Sequence, residues 1–190
     1  YSVVDMEFPK SARSADCWLI TGSRHGVYDN LPFIEPLNAL VREIYHLNIP
    51  LVGVCFGHQI IAQALGGQVE KYSGGWSVGA TDYDFEGQTV TLNAWHQDQI
   101  IQLPKDAEGI AENDFCKYAG LAYKKAALSF QGHPESVHAG ITVMVETRGK
   151  GVVPDNLIKK AKWDMTTPVS PTLIKDKQAG YVIKLKTASK

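Results

Sequence analysis

A thiol lies between two glycines in the stretch Gly53-Val54-Cys55-Phe56-Gly57-His58-Gln59. An apolar, β-branched run, Ile49 to Cys55, leads into it, and a helix-forming pattern follows. This G-x-C-x-G arrangement has the form of a nucleophile elbow, a sharp turn from strand to helix that exposes the central side chain. Side chains at the flanking positions would collide with neighbouring backbone, and glycine removes them. The turn also sets the sulfur at a helix N-terminus, where the dipole and free N–H groups favour a thiolate. The N–H of Phe56 is then placed to stabilise an oxyanion. The bland reading of a lone cysteine is a small buried hydrophobe; the paired glycines argue for chemistry.

A thiolate nucleophile needs a proton shuttle. His133 and Glu135, in Phe130-Gln131-Gly132-His133-Pro134-Glu135, are two apart in what reads as an extended segment leaving a strand. A period of two puts both side chains on one side. The carboxylate can hold one imidazole nitrogen and turn the other toward the thiol. Both motifs end strands, and ligands of open α/β sheets gather at the carboxyl ends of strands. His58 is next to Cys55, but adjacent residues at a helix start point apart, so it reads as a packing group.

The elements that must carry these groups alternate. Asp16 to Ser23 reads as a buried strand and loop. Phe33 to Leu47 has apolar residues at helical spacing, and Pro36 falls in its first turn. Ile49 to Cys55 reads as a central parallel strand, and Phe56 to Leu65 as a helix stopped by Gly66-Gly67. Strand, helix, strand, helix is the α/β order. Residues 77–95 alternate about Glu86-Gly87, as a hairpin does. Two more strands are expected within 108–114 and 125–135, a helix over 136–151, and a short helix over 155–162. The lysine-rich stretch 166–190 has two prolines and carries no structural expectation. No repeat or linker divides the chain, so one domain over 1–190 is expected.

Composition excludes several classes. With 190 residues, 44% apolar and 21% charged, the chain has the make-up of an ordinary globular domain. A net charge of −1 argues against nucleic-acid binding through a broad basic field. No apolar run is long enough for a membrane span. Cys17, Cys55 and Cys116 form no CxxC, which argues against a disulfide scaffold and fits a cytoplasmic setting. The histidines show no metal-ligand spacing, so neither a metal nor another cofactor is expected.

Together, GVCFGHQ and GHPE resemble the motifs of class I glutamine amidotransferases, the group with a Cys-His-Glu triad. AWHQDQI (94–100) is similar to that family's glutamine-pocket segment, and ITGSRHGVYD (20–29) to its glycine loop. The likeness covers about residues 16–148 and is greatest to stand-alone members like the amidotransferase domain of GMP synthase. It implies a flavodoxin-like fold: an open, mostly parallel sheet, helices on both faces and a small antiparallel hairpin region. It implies Cys55 as nucleophile, His133 as acid and base, and Glu135 as its orienting partner. It implies an oxyanion hole from the backbone of Phe56 and Gly22, and substrate contacts from Gly57, Gln59, Trp95 and His96. Two departures bear on the pocket: Thr21-Gly22-Ser23 stands for the usual Gly-Gly-Pro, and Trp95 for the usual Ser.

The family fold opens with a strand and helix ahead of the part that Asp16 to Ser23 resembles. The expectation is that this unit, ~30–40 residues, precedes the present chain or that a neighbouring chain fills its place. Residues 155–190 read as a C-terminal extension. The expected activity is hydrolysis of the glutamine side-chain amide through a γ-glutamyl thioester, with release of ammonia. No GxxxxGK motif followed by Ser or Thr is present, so an ammonia-accepting synthetase partner is implied. A γ-glutamyl peptidase using the same residues is the alternative, and a non-catalytic binding module on the same fold is the alternative of another class.

Overall fold

The computed structural model describes residues 1–135, 142–164 and 167–188. Its main sheet is built on β1 (Trp18–Ile20), β2 (Leu51–Val54) and β9 (Ala127–Phe130), which pair in parallel. All of β2 is buried, as the continuous apolar run demands of a strand covered on both faces. Helix α1 (Ile34–His46) turns Ile34, Leu37, Val41 and Ile44 inward. Helix α2 (Phe56–Ala64) starts directly after Cys55 and stops where Gly66 takes φ of 93°. Both helices pack into one apolar core with β2. The elbow, both helices and these strands lie where the sequence places them, and the α/β class holds, but β1, expected to be buried, is an edge strand with Leu19 61% exposed.

Beyond β9 the sheet continues through β8 (Gly120–Tyr123), β7 (Ala107–Glu112), β4 (Ser77–Phe85) and β5 (Gln88–His96). All these neighbours are antiparallel. The antiparallel part is therefore larger than the small hairpin region expected. The hairpin itself is as read: Glu86 and Gly87 are its tip, with φ of 51° and 82°. A second, two-stranded sheet pairs β3 (Gln68–Lys71) with β6 (Asp98–Gln102). The sequence reading missed β3, β6 and β8, which are short and carry no clear alternation.

The expected helix over 136–151 lies partly outside the described residues; its remainder, 142–149, is helical and ends in a wide turn, Val145–Gly149. Helix α3 (Asp155–Asp164) forms where a short helix is expected and packs against β4. Helix α4 (Thr172–Ala188) had no counterpart in the sequence reading. Its pattern is weakly amphipathic, and Ile174 in its first turn is buried. Among the described residues no helix is long and apolar enough to cross a membrane.

Candidate active site

The elbow is a steric construction. A Cβ on Gly53 would stand 2.5 Å from the Gly57 carbonyl oxygen, and one on Gly57 would stand 2.0 Å from the Ile20 carbonyl oxygen. Two bare Cα atoms thus let α2 lie backbone-to-backbone on β2 and β1. Gly57 does this packing work and does not line the cleft, contrary to the substrate contact expected of it. Between them Cys55 holds φ of 55° and ψ of −108°, a conformation that costs on the order of 1–3 kcal/mol. Phe56 opens α2, so its N–H has no acceptor within the helix.

His133 lies in the loop after β9, the neighbour of β2 in the sheet. Its backbone N–H donates to Asn93 O at 2.8 Å. A Cβ built on Gly22 would lie 3.3 Å from His133 Cε1, 3.7 Å from Cys55 Cβ and 4.0 Å from Cys55 Sγ. Ring, sulfur and glycine loop therefore meet in one small volume. His133 Nδ1 pairs with Glu135 Oε1 at 2.8 Å. Its other ring nitrogen, Nε2, is buried and has no well-aligned partner among the described residues, while Cys55 is its neighbour. Before substrate arrives, such contacts are commonly loose. The thiol itself donates to Trp95 O at 3.9 Å.

Burial alone would lower the His133 pKa. Hydrogen bonding and charge from Cys55 and Glu135 outweigh it and push the imidazole to about 10. Burial likewise raises Glu135, but the hydrogen bond and charge of His133, with a contribution from Lys175, hold its carboxyl below the usual range. The two directions agree: each partner favours the charged form of the other.

The remaining expected residues divide. Gln59 lines the cleft, and its amide donates to Asp98 O and to Gln131 Oε1, both at 3.0 Å. Trp95 offers its carbonyl to Cys55, while its ring meets Trp76 edge-on at 6.3 Å. His96 donates from Nδ1 to Asp98 O at 3.2 Å, and burial pushes it down to about 4, so it is neutral. His58 is fully buried, its Nε2 donating to Tyr118 O at 2.8 Å and its Nδ1 accepting from Ser129 Oγ at 2.8 Å. Burial pushes it down to about 3. It is the packing group that its position suggested.

These groups open on a cleft of about 790 Å³. The sequence reading missed Asn93, which holds His133 by a main-chain oxygen that no motif reveals. It also missed Gln131, whose place two residues before His133 was a usable signal. Arg24 and Lys71 line the cleft, and neither forms an ion pair within 4 Å among the described residues.

An elbow cysteine and a His–Glu pair thus lie together at the carboxyl ends of parallel strands. The Glutamine amidotransferase class-I family model matches residues 6–146, and the chain belongs to that family. It is 29% identical over 151 residues to γ-glutamyl peptidase 4 of Arabidopsis thaliana, covering 71% of this chain and 60% of the relative. It is 37% identical over 108 residues to a glutamine-hydrolyzing GMP synthase subunit of Archaeoglobus fulgidus, covering 51% of this chain and 59% of the relative. The chain thus spans about three fifths of the length of these relatives. A crystal structure of a glutamine amido transferase from Methylobacillus flagellatus shares the fold, with a TM-score of 0.76 at 20% identity over 94% of this chain and 78% of the other.

Proposed function

We propose that the chain hydrolyses the side-chain amide of glutamine through a thioester on Cys55. The convergence of Cys55, His133 and Glu135 beside Gly22 carries this reading. The sulfur attacks the γ-carbonyl carbon, and the N–H groups of Phe56 and Gly22 receive the oxyanion. The C–N bond breaks as His133 gives its proton to the leaving ammonia. Water then attacks the thioester, His133 takes a proton from it, and glutamate leaves with the thiol restored. Glu135 holds the imidazole in register throughout. Gln59 binds substrate through Oε1, since its amide hydrogens are committed to Asp98 and Gln131. The main chain of Trp95 and His96 holds the amino-acid end. Ammonia passes to a synthetase partner, a role consistent with a relative named as one component of a synthase.

A second reading, cleavage of γ-glutamyl peptides by the same steps, is favoured by the size of the cleft and by the relative named a γ-glutamyl peptidase. A cleft of about 790 Å³ falls in the upper part of the range that takes drug-sized ligands. The test compares kcat/KM for glutamine and for γ-glutamyl peptides, with Cys55→Ala alongside. Glutamine turnover that vanishes in Cys55→Ala is the expected result. Preference for peptides by orders of magnitude would replace the first reading with the second. Turnover of neither, with no acyl-enzyme trapped, would defeat both.

A further inference from the structure

Residues 147–190 lie beyond the stretch that the family model matches. Part of this segment is nonetheless built against the loop that carries His133. Ser170 makes both possible bonds to the edge strand β5: its N–H donates to Thr91 O at 2.9 Å, and its Oγ accepts from Thr91 N–H at 3.0 Å. Two residues further along β5, Asn93 O holds the His133 N–H at 2.8 Å. Ile174, in the first turn of α4, is 1% exposed and packs in a cluster with Tyr83 and Leu92. Those same two side chains close on Gly132, where a Cβ would meet Leu92 Cδ1 at 3.0 Å and Tyr83 Cε2 at 3.2 Å. One turn later Lys177 Nζ pairs with both carboxylate oxygens of Glu86, at 2.8 and 2.9 Å.

We propose that Ser170 to Lys177 is a strap belonging to the catalytic unit: it backs the Gly132–Glu135 loop, with Ile174 as the positioning residue. Ile174 acts through Leu92 and Tyr83 on the backbone before His133. This inference rests on the Cys55–His133–Glu135 reading.

The test uses the full chain and a readout that needs no substrate, the rate of Cys55 alkylation by iodoacetamide against pH, together with kcat and KM for glutamine. Ile174→Ala lowers kcat about tenfold, with KM held within about twofold, at temperatures where it is folded. Should that variant not fold, Ile174→Val carries the same signature in smaller measure. An Ile174 variant that changes only Tm would overturn the strap. Wild-type alkylation indifferent to His133→Asn would instead remove the triad reading on which the strap depends.

Discussion

The two halves of the site are held by different physics. Cys55, the proposed nucleophile, is fixed by backbone sterics within a short stretch of chain: Gly53 against Gly57, Gly57 against Ile20, and a left-handed Cys55 between. His133, the proposed base, is fixed by side chains and main-chain bonds from distant segments: Asn93 on β5, Leu92 and Tyr83 behind Gly132, and Ser170 with Ile174 outside them. The first half tolerates no added atom. The second distributes its precision over many contacts, each replaceable at modest cost. Substitutions should therefore unfold the protein on one side and detune it on the other.

The largest effect expected is at Gly57. A methyl group 2.0 Å from the Ile20 carbonyl cannot be accommodated unless α2 lifts off β1. Gly57→Ala should cost about 3 kcal/mol or more, at the top of the overpacking range, and abolish activity with it. Thermal unfolding measures this directly, and a wild-type Tm would refute the steric account. Gly22→Ala is the control: its Cβ meets a movable imidazole edge at 3.3 Å. It should keep the fold and lose activity.

On the base side the expected loss is catalytic. His133→Asn should lower glutamine kcat by on the order of a thousandfold or more, because both proton transfers depend on the ring. Glu135→Gln should lose less, on the order of tens to hundreds, since it removes orientation and charge but leaves the imidazole. Neither should shift Tm as Gly57→Ala does. Comparable losses of stability across all three variants would erase the distinction between the halves.

The histidines give the same contrast a pH signature. His58 and His96 are depressed, to about 3 and about 4, because burial disfavours their charge. Their contribution is present above the unfolded value of about 6.5 and is lost as pH falls toward those folded values. His133 is raised to about 10 by Cys55 and Glu135 against the opposing effect of burial. Its contribution is present below about 6.5 and is lost as pH rises toward 10. Stability should therefore fall on both sides of near-neutral pH, from separate residues. Denaturant midpoints across pH should show His133→Asn flattening only the alkaline arm. Flattening of the acid arm instead would reverse the assignment.

The same division decides what the sequence discloses. G-x-C-x-G is legible because backbone collisions between near neighbours admit only glycine, and His133-x-Glu135 is legible because period two sets both side chains together. Helices α1 and α2 follow from apolar spacing; α2 stops at Gly66 and α1 just before Asn48, both of which take positive φ. Asn93 is invisible because its main-chain oxygen, which any residue supplies, does the work. Strands β3, β6 and β8 are invisible because pairing with partners far along the chain forms them, not local pattern. Helix α4 is hidden because its sequence carries no broad apolar stripe, although Ile174 in its first turn is buried. Gly57 is legible as an obligatory glycine but not in its purpose, since a sequence does not say which backbone a bare Cα is facing.

The smallest effect expected is at the hairpin tip behind the base. Glu86 sits at φ of 51°, which disfavours a glutamate, and its partner Gly87 at 82° completes a turn that prefers Asn-Gly. Glu86→Asn should relieve strain of about 0.5–1 kcal/mol. It also removes the Lys177 pair, whose two side chains are 47% and 38% exposed and which is worth about 0.2–1 kcal/mol. Lys177 keeps its place over the Phe85 ring, 5.4 Å from the centroid, and so remains docked. The net expectation is a gain of a few tenths of a kcal/mol, with alkylation and turnover unchanged because Ile174 still anchors the strap. A double-mutant cycle with Lys177→Met, read by urea midpoints, isolates the ion pair. A coupling well above 1 kcal/mol would mean that the strap is held at its tip, and part of the base's support would then reside in a surface charge pair rather than in Ile174.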